Sequence, residues 1–61
     1  TLKSALQKAL EFERIAIGLY NDLVNNTQGK DNVTYHLALD ILEDEAKDEQ
    51  ELEDILNKLE F

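Results

Sequence analysis

Residues 25 to 31 read NNTQGKD, a stretch with no large apolar side chain and a glycine at position 29. The pattern on both sides of it is different. From Leu2 to Val24, and again from Val33 to Leu59, apolar residues recur at helical spacing. Asn and Gly after the first run are helix stop signals, and Asp31 or Asn32 can cap the second. No proline interrupts either run. The spacing predicts a helix over about 2–26, a turn over about 27–31 and a helix over about 32–60. So short a turn makes the two helices antiparallel neighbours. The expected fold class is all-α, an antiparallel helical hairpin, with no repeat and no second domain.

Sixty-one residues are at the low edge of what folds alone. Chains of this size need a disulfide, a metal or a partner to supplement a thin core. There is no cysteine, which excludes a disulfide and a thiolate metal site and fits a reducing, cytoplasmic location. What remains is a metal held by oxygen or nitrogen, a homo-oligomer, or a helical partner segment from a longer chain. The sequence opens mid-pattern at TLKSAL without an initiator methionine, so a fragment or processed chain is the expectation. Fourteen acids against six bases give a formal charge of -8. Without a basic patch, nucleic-acid binding has no electrostatic support. An anionic membrane would repel the chain, and no apolar run approaches the roughly 18 residues of a span. Neither nucleic acid nor membrane is therefore an expected partner.

The first helix separates into faces. Leu2, Leu6, Ala9, Leu10, Ala16, Ile17, Tyr20, Leu23 and Val24 form an apolar stripe, widened by Phe12, Ile15 and Leu19. Glu13 sits inside it, seven residues from both Leu6 and Tyr20. The second helix carries ILEDEAKDEQELEDIL, residues 41 to 56, with eight acids in sixteen positions. Alternating steps of three and four trace a seam through Ala38, Ile41, Glu45, Asp48, Leu52, Ile55 and Leu59. Most of the acidic run is a solvated face, but Glu45 and Asp48 fall on the seam. At 1.5 Å per residue, Glu13 and Glu45 both lie about 20 Å from the turn. Three carboxylates from two helices are thus expected at one height.

Buried carboxylates need compensation, which a proton, a basic partner or a metal can supply. Arg14 and Lys47 are placed on the polar sides, away from the seam. A hard cation suits oxygen ligands. Two such hairpins would bring six carboxylates together, a ligand set for two metal ions. The competing reading is a polar register device in a metal-free helical interface. His36 is on the polar face, where a surface site with Asp40 is its only candidate metal role. No Ser-His-Asp arrangement, glycine-rich phosphate loop or glycosidase acid pair is present.

The stretch ERIAIGLY, residues 13 to 20, has a Glu-x-x-Ala-x-x-x-Tyr pattern similar to rubrerythrin-type di-iron helices. The stretch DNVTYHLALDILEDEAKD, residues 31 to 48, resembles the last long helix of bacterioferritins, which continues to Asp-Glu-x-x-His. Over nearly its whole length the chain resembles the C-terminal hairpin of the ferritin-like superfamily, the bacterioferritin, Dps-like and rubrerythrin-type di-iron bundles. The resemblance implies half of a ferritin-like four-helix bundle, completed by a missing segment or by a second copy, as in encapsulated ferritins. It implies iron at a di-iron carboxylate site, with manganese or zinc as other candidate metals. Glu13 and Glu45 match family ligands, and Asp48 stands where the family has its histidine. Glu49 is a candidate substitute ligand. Tyr20 is placed to hydrogen-bond a ligand carboxylate, or else is a core tyrosine. The implied function is iron oxidation and storage, a ferroxidase-like activity with dioxygen or peroxide. The alternatives are a metal-free acidic interaction module and a rubrerythrin-like peroxidase, the latter without the cysteine-bound iron usual there.

Overall fold

The computed structural model describes residues 1–59. Position 60, the expected end of the second helix, lies outside the described residues. Helix α1 spans Leu2–Thr27 and helix α2 spans Asn32–Leu59, and they form an antiparallel hairpin 47 Å long. There is no strand among the described residues.

Local chemistry sets each boundary. The Thr1 hydroxyl accepts a hydrogen bond from the Ser4 backbone N–H at 3.1 Å and caps the start of α1. At its end, the Gln28 N–H still reaches the Val24 carbonyl at 3.0 Å. Gly29 then adopts φ +76°, and the Lys30 and Asp31 N–H groups both return to the Thr27 carbonyl at 2.9 Å. That left-handed conformation is one a side chain resists, so glycine belongs there. Asp31 starts α2. Its carboxylate accepts the Thr34 N–H at 3.1 Å and the Thr34 hydroxyl at 2.6 Å. These bonds, the hydroxyl first, hold the Asp31 pKa below its ordinary value.

The core is one seam. Leu10, Val24, Ala38 and Leu56 are buried, Ala38 to 1% exposure. Leu6, Ala16, Ile17 and Tyr20 of α1 and Leu42 and Leu52 of α2 are half-buried along the same line. The seam of α2 runs in a different phase from the one expected. It passes through Ala38, Leu42, Glu45, Glu49, Leu52 and Leu56, whereas Asp48, Ile55 and Leu59 are exposed and Ile41 is half-buried. Both phases share positions 38, 45 and 52. At 100° per residue, 41, 48, 55 and 59 lie to one side of that line and 42, 49 and 56 to the other. A single partner helix covers only one side, and α1 covers the second.

The uncovered side is apolar. Phe12 is 70% exposed and Leu19 65%, with Ile15 and Leu23 beside them; α2 adds Val33, Leu37, Ile55 and Leu59. Helical phase puts these residues on one flank of the hairpin, and Asp48 shares that flank. No helix of the described residues is long and apolar enough to cross a membrane.

Candidate metal centre

Glu13 of α1 and Glu45 and Asp48 of α2 offer carboxylate oxygens that all lie within 4.8 Å of one another. Their convergence follows from register. Glu13 and Glu45 stand nearly the same number of residues from the turn, so a common rise of 1.5 Å per residue puts them level. Asp48 is one turn further along α2. Glu13 and Glu45 are half-buried between the helices, and Asp48 is exposed on the open flank. Glu13 Oε2 is buried without a hydrogen-bond partner.

The electrostatics of this group are unfavourable for a bare carboxylate. Glu13 has its pKa pushed up to about 7 from an ordinary 4.5. The first cause is the adjacent Glu45 carboxyl, with which only a protonated Glu13 can form a hydrogen bond. Desolvation between the helices follows, then the negative charges of Glu45, Asp48 and Glu49. At neutral pH Glu13 thus carries a proton for part of the time. A cation at the same place relieves the same repulsion more completely. Two oxygens bound to one hard cation at about 2.0–2.6 Å lie no more than about 5 Å apart. The three carboxylates meet that limit, and the donor set is oxygen only. On distance, donor type and the unpartnered Glu13 oxygen, these residues fit a hard metal ion.

Glu49 behaves differently from the other acids. It is half-buried, one turn beyond Glu45, but its Oε2 accepts a bond from Arg14 Nε at 3.3 Å. The Arg14 Nη2 donates to Glu53 Oε1 at 2.9 Å. Sequence reasoning placed Arg14 on the polar side with no role at the seam. The structure instead brings it across the rim of the hairpin. The direction of side chains on a helix explains the reach. They lean toward the helix N-terminus, so Arg14 extends toward the start of α1, which lies beside the end of α2. That lean, combined with the antiparallel register, was the signal available in the sequence.

Tyr20 is half-buried on the face of Glu13, and among the described residues no hydrogen bond joins its hydroxyl to Glu13, Glu45 or Asp48. His36 is exposed, its ring edge-on to Tyr35 with centroids 5.3 Å apart. It takes no part in the cluster.

The chain that forms this hairpin has relatives among known proteins. The family model described as a ferritin-like domain matches residues 1–61. The chain belongs to the ferritin-like family. A DNA protection during starvation protein from Pyrococcus furiosus is 45% identical over 56 residues, covering 92% of this chain and 30% of that relative. The ferritin-like chain therefore spans less than a third of the length of the curated relative it matches. No solved structure matches it. Family membership agrees with the all-α hairpin.

Proposed function

We propose that this chain supplies half of a carboxylate-bound iron site in a ferritin-like four-helix bundle, where Fe(II) is oxidised and the product is held for storage or detoxification. The observation that carries this is the meeting of Glu13, Glu45 and Asp48 within 4.8 Å, with one Glu13 oxygen buried and unpartnered. Glu13 and Glu45 would hold the metal from between the helices, and Asp48 would reach it from the open flank. Iron held there would supply the redox chemistry, with dioxygen or peroxide as the oxidant. The protein's own part is to present oxygen donors at a fixed height and to surrender the Glu13 proton when a cation enters. Manganese and zinc are the expected competitors.

The open flank implies a second pair of helices, from the rest of a longer chain or from another copy. Most of the relative's length lies outside the match, which leaves room for such a pair. Its name, DNA protection during starvation, is compatible with the same chemistry in this chain. Fe(II) and peroxide together damage nucleic acid, and oxidising Fe(II) inside a protein removes one reactant. With a formal charge of -8, this segment would do so without touching DNA.

The second reading is a metal-free helical interface in which a proton on Glu13 alone satisfies it. Its support is the pKa of about 7 on that residue. Glu45→Leu separates the two. In a metal-free seam it replaces a half-buried acid with an apolar side chain and raises the melting temperature. In a metal site it abolishes binding. Fe(II) titration under air, with Glu13→Ala and Glu45→Leu beside the wild type, is the test. An absence of Fe(II) binding and oxidation in the wild type would sink the iron reading.

A further inference from the structure

We propose that Arg14 is a positioning residue for the carboxylate site: by clasping Glu49 and Glu53 on the closed flank, it keeps Glu49 off the cation and presents Glu45 to Glu13. This rests on reading Glu13, Glu45 and Asp48 as that site.

Glu45 and Glu49 are four residues apart on the buried line of α2, and both are half-buried. By position alone, either could supply the α2 carboxylate that faces α1. They share a face but differ in height by one turn, about 6 Å, a gap that a long Glu side chain can partly span. The structure distinguishes them by height and by one contact. Glu49 Oε2 is held by Arg14 Nε at 3.3 Å, while Glu45 joins the cluster with Glu13 and Asp48. The second arm of the guanidinium, to Glu53 at 2.9 Å, fixes the fork one turn further from the cluster. A planar guanidinium with fixed donors suits this better than an ammonium, which has no set orientation.

The clasp is poorly suited to a purely stabilising role. The Arg14 side chain is 55% exposed, and those of Glu49 and Glu53 are 30% and 36% exposed. Ion pairs so open to water contribute little to stability. Their consequence here is placement and charge. Four acids, Glu13, Glu45, Asp48 and Glu49, crowd about one turn of the hairpin, and Arg14 draws one of them aside.

The test uses Mn(II) binding by the intact protein, together with NMR of its metal-free form. Arg14→Gln frees Glu49 as an added carboxylate ligand and tightens Mn(II) binding on the order of tenfold. Arg14→Gln/Glu53→Gln keeps that gain. Arg14→Gln/Glu49→Gln, which has the same net charge, returns to the wild-type affinity. Glu49→Gln alone leaves Mn(II) affinity within about twofold of the wild type. In the metal-free protein, side-chain contacts between Glu13 and Glu49 appear in Arg14→Gln and are absent from the wild type. Equal affinities for the two double variants would reduce the effect to bulk charge and overturn the proposal. So would loss of Mn(II) binding in Glu49→Gln, or an unchanged contact pattern in Arg14→Gln. If the wild type binds no Mn(II), the metal site itself fails, and the NMR contacts alone decide whether Arg14 sets the facing of α2.

Discussion

Glu13 is where sequence and environment disagree most sharply. An acid in an apolar stripe is conspicuous in a one-dimensional pattern, and the same helical spacing places Glu45 and Asp48 on the seam of the facing helix. Its consequence is a pH dependence. The folded pKa is about 7, against 4.5 for the ordinary group. The folded state therefore binds more protons than the unfolded state between those values. The resulting stabilisation is complete below the unfolded pKa and is lost as pH rises through the folded one. Metal-free melting curves should show the stability of the wild type falling from about pH 5 to about pH 7.5. Glu13→Gln should fall less over the same range. Cation affinity should run the opposite way, rising up to about pH 7 as the competing proton leaves. Asp31 carries the contrary sign. Its lowered pKa gives stability that is present above the ordinary aspartate range and lost in acid.

At the scale of the element, both helix boundaries follow from residues that could be read in advance. Gly29 occupies φ +76° in the turn, whereas Gly18 lies within α1 with nothing within 4 Å of an added Cβ. The same substitution should act oppositely at the two sites. Gly29→Ala should destabilise the protein by about 1 kcal/mol, because a side chain strains the left-handed backbone. Gly18→Ala should stabilise it by about 0.5–1 kcal/mol by reducing the freedom of the unfolded chain. Thermal or denaturant melts of the two variants would check the contrast. The phase of the α2 seam was less accessible. Positions 38, 45 and 52 are common to both candidate lines, and apolar residues continue on both sides of them. Only the position of α1 determines which side is covered.

The whole molecule is a thin hairpin with one open flank. Its accessible surface is 4657 Å², while a compact protein of its mass would expose about 4,000 Å². Among the described residues Leu10, Val24 and Leu56 are buried between the helices, each worth about 1.5–3 kcal/mol at most relative to exposure, and Ala38 adds less. Leu10→Ala should cost about 2–4 kcal/mol, read as a fall in melting temperature. A change on the open flank should act elsewhere. Leu19→Asp should weaken association with the complementary helices while leaving helical content unchanged, which sedimentation and circular dichroism would measure together. If association survives Leu19→Asp, that flank is not the interface.

Helix type, the turn, the hairpin and the identity of three converging carboxylates were determined by local pattern alone. Each depends on periodicity, capping chemistry and the fixed rise of a helix, all of which a linear sequence contains. Tertiary structure decided the rest. It put Asp48 on the open flank, because α1 covers only the side of α2 that carries Leu42, Glu49 and Leu56. It drew Arg14 across to Glu49 and Glu53, because side chains lean along the helix and the partner's register determines what they meet. These outcomes depend on the relative rotation of two helices, which one helix's spacing does not encode.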